Sequence, residues 1–245
     1  MGPYGRIQRH LLLAAQRNFP GALYCVPEID EPAVALTVDD GPSSRTGEML
    51  DLLGEHGARA TFFVHTALLE SPGDAVAQLE RAAAEGHEIA NHMPDPVPST
   101  KLDEATFALE FNRADDTLRT LGFEPRFFRP ANGFYQRKKM LPPLLARDYF
   151  PRFVLASFLP WDTHIPLPHA YAANLASGVF PGAVLVLHDG EAEGTGRLGR
   201  TITGLRQLLW LLEQRGYAVC SLGELLARSP LANERAEDFF TLLSS

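Results

Sequence analysis

Apolar segments alternate with amphipathic segments along most of the chain. The continuous apolar segments predict strands at residues 33–38, 58–65, 87–91, 126–130, 152–158, 182–189 and 217–222. Strands that are apolar at every position, rather than at every second one, are typical of a parallel sheet with both faces buried. The pattern therefore predicts an α/β protein with a parallel sheet.

Amphipathic segments with a helical period follow most of the predicted strands. They predict helices over residues 46–56, 74–85, 137–149, 170–178 and 223–228, and two longer helices that end at Gly122 and Gly216. The first of the longer helices is predicted to begin at a capping box that runs from Thr100 to Asp103. Seven strands in such an order favour a closed or nearly closed β/α barrel, and a doubly wound open sheet is the alternative.

The segments that flank this pattern differ from it. Residues 1–30 predict a helical extension, because the apolar core "LLLAA" is short for a signal peptide and is followed by the polar residues "QRN". Residues 31–228 predict one domain, since no linker of glycine and serine interrupts them, and residues 229–245 predict a tail. No apolar run is long enough to span a membrane. We therefore expect a cytoplasmic protein with no membrane partner.

Composition and charge narrow the class of protein further. Hydrophobic residues make up 45% of the chain, which is ordinary for a globular protein with a large core. The net charge is −8, and the only basic cluster is the short "RKK" at residues 137–139, so we expect no nucleic-acid partner. Cys25 and Cys220 are far apart and are best explained as buried free thiols.

Polar residues follow most of the predicted strands, at the end where a β/α barrel carries its active site. The residues at these strand ends are Asp39, Asp40, His65, Asn91, His92, Asp95, Arg129, Asn132, Trp161, Asp162 and His188. Carboxylates and neutral imidazoles are ordinary ligands of zinc and similar divalent ions. Because such an ion acidifies a bound water, the set favours metal-assisted hydrolysis.

Four motifs at these strand ends carry a resemblance to a known family. "TVDDGP" (37–42) resembles TFDDGP, "GHEIANH" (86–92) resembles GHEIGNH, "FRPANG" (128–133) resembles FRPPYG, and "LVLHD" (185–189) resembles LxLHD. In this order and spacing the motifs resemble those of polysaccharide deacetylases with a NodB-homology domain, which form carbohydrate esterase family 4. The resemblance covers residues 33 to 226 and implies a distorted (β/α)7 barrel.

The resemblance also implies roles for single residues. It makes Asp39 the general base, oriented by Arg129, and it makes His188 the general acid. Asp40 and His92 match two of three metal ligands, so a divalent ion is implied, with zinc first and cobalt or manganese as alternatives. The backbone N–H of Asn132 matches the donor to the oxyanion, and Leu185 matches a wall of the acyl pocket. The implied reaction is removal of an N-acetyl or small N-acyl group from an amino sugar or a related small molecule.

The chain departs from the family pattern at the third metal ligand. The family has a histidine four residues after the first, and here that position is Pro96, which cannot bind a metal. Asp95 is the first substitute we predict, His65 on the neighbouring strand end is the second, and a water could also complete the set.

The family's aspartate-tryptophan segment is altered as well. Asp162, directly after Trp161, is predicted to orient His188 in place of the family's aspartate. Together with Asn132, Leu185 and His65, these two residues are expected to form the substrate side of the site. The departures leave two alternatives open, an amidase that acts on a non-sugar C–N bond and a weakened homologue that only binds a glycan.

Overall fold

The computed structural model describes residues 2–19, 21–70, 73–159, 161–190 and 196–234. Within these ranges the strands are β1 (Ala22–Leu23), β2 (Ala33–Gly41), β3 (Ala60–Val64), β4 (Glu88–Asn91), β5 (Phe153–Val154), β6 (Val184–His188) and β7 (Ala218–Cys220). All pair in parallel, as the continuous apolar segments predict.

Helices connect these strands and cover the outside of the sheet. They are α1 (Pro3–Asn18), α2 (Thr46–Glu55), α3 (Ala75–Ala84), α4 (Glu104–Thr120), α5 (Arg137–Ala146), α6 (Trp161–His164), α7 (Pro168–Gly178), α8 (Arg197–Gln214) and α9 (Leu222–Leu226). Short 3₁₀ turns occupy Thr66–Leu69, Ser99–Lys101, Ala131–Gly133 and Pro230–Asn233. No helix in the described ranges is long and apolar enough to cross a membrane.

The strands close into a distorted β/α barrel rather than an open sheet. The order β4-β3-β2-β6 forms one arc, and β7 also pairs with the first residues of β2. Single bridges at Phe128 link β4 to β5, which pairs with β1. The backbone N–H of Ser157 then donates to Val184 O of β6 at 2.8 Å and completes the ring.

Alternate residues of the strands face the helices and the interior. Leu36 and Val38 of β2 lie in the largest apolar cluster, between sheet and helices, together with Leu185 and Leu187 of β6. The residues between them, such as Thr37, face the barrel interior, where they meet polar groups from other strands. The interior positions therefore decide what the carboxyl ends of the strands present to a ligand.

Three local predictions differ from the structure. The strand expected at residues 126–130 is reduced to bridges at Phe128, because prolines at 125 and 130 leave room for little regular pairing. The capping box at Thr100 does not form, and α4 begins one turn later, where the Asp103 carboxylate accepts from Thr106 N at 2.8 Å. Strand β1, which pairs with β5, was not predicted, because its two residues are too few to show a pattern.

Helix α1 and the last described segment pack on the barrel. Gln8 of α1 donates to Ser157 O at 2.8 Å, and the Gln16 side chain accepts from the backbone of Tyr24 at 2.7 Å. Glu234, the last described residue, forms an ion pair with Arg152. The division at residues 30 and 229 stays a prediction, although β1 lies within the barrel.

Candidate active site

Asp39 and Asp40 both reach the same cleft although adjacent strand residues point to opposite faces. Asp39 faces the interior like Thr37, so regular alternation would turn Asp40 toward the helices. Instead Asp40 has the left-handed φ of 67°, and the register of β2 with β3 shifts between Asp39 and Gly41. This bulge re-aims the second carboxylate, so that both line one cleft.

The turn after Asp40 is held by a buried carboxylate. Asp189 accepts a hydrogen bond from Ser43 Oγ at 2.7 Å and another from Thr46 Oγ1, and its backbone N–H donates to Asp39 O at 2.8 Å. A Cβ at Gly41 would lie 2.7 Å from Asp189 Oδ2, so only glycine fits there. The "DDGP" turn and the "LHD" strand end therefore support each other.

Asp40, His65 and His92 form a candidate metal centre. The Oδ1 atom of Asp40 lies 3.3 Å from His65 Nε2 and 3.6 Å from His92 Nε2. The ligand atoms of the three residues all lie within 4.8 Å of one another, and the two imidazole rings stack with centroids 4.6 Å apart. One carboxylate oxygen and two imidazole nitrogens match the donor set that zinc prefers.

The hydrogen bonds around both histidines leave Nε2 available as a ligand. His92 Nδ1 lies 2.7 Å from the carbonyl oxygen of Arg129, which only accepts, so Nδ1 carries the proton. Burial lowers the pKa of His92 to about 4, so its imidazole is neutral near pH 7. His65 Nδ1 lies 3.4 Å from the carbonyl oxygen of Met93, so Nε2 is the buried nitrogen that faces Asp40. A buried imidazole nitrogen beside a carboxylate suits a bound ion.

The carboxylate of Asp40 is ionised in this setting. Burial acts to raise its pKa, but the contact with His65 and the charge of His188 lower the pKa well below its usual range. An ionised carboxylate beside the neutral imidazole of His92 suits a divalent cation, whose ligands must be deprotonated.

Asp95, the predicted third ligand, is placed elsewhere. Its side chain is 56% exposed and lies 3.7 Å from Arg113, away from the described ligand cluster. Pro96 lines the cleft in its stead, and His65 completes the cluster as the second predicted candidate. The proline-rich loop turns Asp95 outward, whereas His65 continues the inward side of β3.

Asp39 is paired with Arg129 in the floor of the cleft. Arg129 Nη1 lies 2.5 Å from Asp39 Oδ1 and donates to Thr37 Oγ1 at 2.8 Å. Its other nitrogens donate to the carbonyl oxygens of Val154 and Leu155, and its guanidinium stacks 4.3 Å from the centroid of Phe63. Because every direction of the guanidinium is fixed, Arg129 can hold Asp39 in one orientation.

Asp162 contacts His188 at the end of β6, where His188 is in register with Asp39 of β2. Its carboxylate accepts from the His188 backbone N–H at 2.7 Å and lies 3.1 Å from His188 Nδ1. Burial acts to lower the pKa of His188, but the hydrogen bond and charge of Asp162, with Asp39 and Asp40, raise the pKa overall. The protonated imidazole is thus favoured, which suits a proton donor.

A cleft of about 690 Å³ opens above these groups. Asn132 lines it in a left-handed turn with φ of 60°. Leu185 does not reach the described lining of the cleft: it packs in the apolar cluster behind the sheet, and Val186 lines the cleft instead. The side chain of Trp161 lies outside the described residues, so its predicted substrate contact stays a prediction.

Two residues of the site were not predicted from the sequence. Thr37 bridges the site to β6, because its Oγ1 donates to Leu185 O at 2.6 Å while it accepts from Arg129. A polar residue two positions before Asp39 in an apolar strand was the available signal. Arg197 lines the cleft 3.6 Å from Asp40 Oδ2, and no pattern in the sequence marks it.

The fold and site define a class, a β/α-barrel protein with a candidate metal centre at the carboxyl ends of its strands. The family model for polysaccharide deacetylase matches residues 27–141. A chitooligosaccharide deacetylase of Sinorhizobium fredii is 34% identical over 206 residues, which cover 78% of this chain and 90% of that protein. The chain belongs to the polysaccharide deacetylase family.

Solved structures agree with this assignment. A deacetylase solved with substrate is 26% identical, with a TM-score of 0.69 over 81% of this chain and 92% of the other. A peptidoglycan N-acetylglucosamine deacetylase has a TM-score of 0.76 over 87% of this chain and 96% of the other. At 24% identity the second comparison shows the shared fold alone.

Proposed function

We propose that the protein is a metal-dependent deacetylase that removes an N-acetyl or small N-acyl group from an amino sugar. The observation that carries the proposal is the arrangement of three groups. The cluster of Asp40, His65 and His92 lines one cleft with Asp39, which Arg129 holds, and with His188, which Asp162 contacts, so a candidate ion, a base and an acid share that cleft. The names of the relatives, which include chitooligosaccharide deacetylases, support an amino-sugar substrate.

The metal would be held by Asp40, His65 and His92. Zinc fits the donor set best, and cobalt and manganese are the alternatives. When bound, the ion supplies Lewis-acid chemistry: it acidifies a water and polarises the carbonyl of the amide.

Asp39 and Asn132 would act on the attacking water and the carbonyl. Asp39 accepts the proton of the water, because its carboxylate is at the cleft floor and Arg129 fixes its orientation. The backbone N–H of Asn132, in the turn on the cleft wall, donates to the negative oxygen that forms as the water adds.

His188 would act as the proton donor in the last step of the reaction. Its imidazolium donates a proton to the departing amine nitrogen, so that the C–N bond breaks without expelling an amide anion. Asp162 fixes the ring through Nδ1 and leaves Nε2 to face the cleft. Its charge also favours the protonated ring before the step.

The proposal is tested by measuring metal content and acetate release. We expect the purified protein to bind a divalent ion, measured by mass spectrometry, and to release acetate from N-acetylglucosamine oligomers. Asp39→Asn should lower kcat by about 10²–10⁴-fold while substrate binding and metal content are retained. No bound metal and no release after zinc, cobalt or manganese is added would overturn the proposal.

A second candidate is an amidase that acts on a non-sugar C–N bond. The exposed apolar side chains of Phe134 and Leu159 at the cleft favour it, because they suit a less polar substrate. A panel of N-acyl amines and N-acetyl sugars, compared by kcat/KM, separates the two candidates. If ligands bind and wild type and Asp39→Asn show no turnover at all, a glycan-binding homologue is the remaining alternative.

A further inference from the structure

Helix α1 exposes an apolar and basic face that the rest of the protein does not cover. The apolar side chains are Tyr4, Ile7, Leu11 and Phe19, each between 56% and 63% exposed. Exposed basic side chains, Arg6, His10 and Arg17, follow along the adjacent side of the helix. We name these seven residues the α1 outer face.

The opposite side of α1 is fixed to the barrel. Gly5 and Gln16 are buried, and the hydrogen bonds of Gln8 and Gln16 tie the helix to segments on either side of the barrel wall. The helix also packs on α7 at its first turn, where one edge of the Tyr4 ring lies over Gly178 while more than half of that side chain stays exposed. Because this side of the helix packs on the barrel, the α1 outer face points away from the protein.

The charge of α1 contrasts with that of the whole chain. The helix contains three arginines, one histidine and no acidic residue, whereas the chain has a net charge of −8. An apolar stripe beside a basic flank, with aromatic rings at both ends, is the pattern of helices that lie in the headgroup region of an anionic bilayer.

We propose that the α1 outer face binds an anionic lipid surface. The apolar side chains would enter the boundary between headgroups and acyl chains, and the arginines would contact lipid phosphates. No membrane partner was expected because no segment can span a bilayer, but a helix that lies on the surface needs only one apolar stripe.

A second copy of the chain fits this face less well. A symmetric contact would place the arginines of one α1 beside those of the other, and like charges in contact cost affinity. One helical stripe is also narrow compared with the roughly 1,200 Å² or more that stable interfaces bury. Anionic lipid complements the charge and needs no matching shape.

The position of α1 links this surface to the cleft. Gln8 donates a hydrogen bond to the backbone carbonyl of Ser157. The segment around Ser157 lines the cleft through Leu155, Phe158 and Leu159. Lipid binding would therefore hold the cleft beside the membrane, where a substrate attached to the membrane could be reached. The binding itself does not depend on the proposed activity.

Vesicle sedimentation of the full chain tests the proposal. We expect binding to phosphatidylcholine vesicles that contain phosphatidylglycerol, weaker binding to pure phosphatidylcholine, and a loss of binding as salt is added. The double variant Ile7→Glu/Leu11→Glu should bind at least about tenfold more weakly. Arg6→Gln/Arg17→Gln should remove most of the preference for anionic lipid.

A matched control comes from another exposed leucine. Leu109 on α4 is 66% exposed, so Leu109→Glu makes the same charge change as the single variant Leu11→Glu; it should leave vesicle binding unaltered, whereas Leu11→Glu should weaken it. Circular dichroism confirms that each variant is folded. No binding by wild type, or an equal loss in Leu109→Glu, would overturn the proposal. So would a dimer, measured by light scattering, that dissociates in Ile7→Glu/Leu11→Glu.

Discussion

The left-handed backbone at Asp40 gives two adjacent aspartates different neighbours. Asp39 remains on the inward side of β2 and pairs with Arg129, while Asp40 is turned toward His65 and His92. Like charges on neighbouring residues are tolerated because each carboxylate has its own cationic or imidazole partner. The proposed division into base and ligand thus has a structural origin in one backbone angle.

At the residue scale, the identity of the third ligand is open to a paired test. His65→Ala should raise the Kd for zinc by at least about 100-fold, because it removes a direct donor rather than an outer contact. Asp95→Ala should leave the Kd unchanged, since that carboxylate is exposed and faces Arg113. Competition with a chromogenic chelator measures both constants.

The two variants also control each other. Both remove a polar side chain next to the cleft, but only one removes an atom of the cluster. A large loss of zinc affinity in Asp95→Ala, with His65→Ala unaffected, would restore the ligand set first predicted from the sequence.

The Asp162–His188 contact predicts a change in pH dependence. The contact raises the pKa of His188, and the active form of a general acid is protonated, so activity falls as pH rises through that pKa. Asp162→Asn removes the charge, which lowers the pKa and moves the basic limb of the kcat/KM profile to lower pH. We also expect kcat/KM to fall roughly 10- to 100-fold. A basic limb that stays in place would show that Asp162 does not act on this proton.

Residue types at strand ends were readable from the sequence, but side-chain directions were not. His65 lies two positions after Phe63, which faces the interior, yet β3 is apolar on both sides, so its alternation carries no mark of which side is inward. In β6, by contrast, the position of His188 shows which residues of the strand face the interior. Leu185 is an odd number of positions from His188, so alternation alone argues against its placement in the cleft.

At the element scale, most strands and helices were predictable, but strand β1 and the short length of β5 were not. The β2 strand and α8 carry continuous or periodic patterns, and both form where expected. Strands β1 and β5 have two residues each, and their pairing depends on barrel closure rather than on local preference. Tertiary contacts, which the sequence does not display, decide such elements.

A glycine within α8 shows how closely two helices approach. Tyr171 of α7 places its hydroxyl over Gly204, where it donates to the carbonyl oxygen of Arg200 at 3.0 Å. A Cβ at Gly204 would overlap the phenol. Although alanine is the better helix former, we expect Gly204→Ala to lower the free energy of unfolding by about 1–3 kcal/mol.

The control for this variant is Gly54 in α2. A Cβ there would meet no atom within 4 Å, so Gly54→Ala should raise the free energy of unfolding by up to about 1 kcal/mol. Urea unfolding measures both variants. Equal effects would mean that helix propensity, not the packing of Tyr171, controls the position.

At the scale of the whole molecule, the candidate ligands join neighbouring strands of the barrel. Asp40, His65 and His92 belong to the ends of β2, β3 and β4, which are successive in the sheet. An ion that binds only the folded chain should stabilise it by about 2.7 kcal/mol at a free concentration of about 100 times Kd.

Thermal unfolding tests this linkage. Zinc should raise the Tm of wild type and a chelator should return it to the metal-free value, while His65→Ala should respond little at the same zinc concentration. Equal shifts in both proteins would place the stabilising ion at another site.

The barrel as a whole was predictable because the sequence patterns that indicate it are spread along most of the chain. The alternation of strands and helices, with four motifs in family order, fixes the architecture even where single strands are misplaced. The closure through Phe128 and the Ser157–Val184 contact was not predictable in detail, because the segments at residues 126–130 and 152–158 have a strand pattern but pair mostly through single contacts.

With His65 as the proposed third donor, ion binding and the shape of the cleft entrance depend on different segments of the chain. On the proposed ligand set, every donor lies on a strand end, and the loop that contains Pro96 borders the cleft without holding the ion. That loop can therefore be lengthened, shortened or exchanged to change which molecules enter, with the ion-binding atoms left in place. Substitutions at Pro96 and in its loop should therefore change which substrates enter the cleft rather than how the ion is bound.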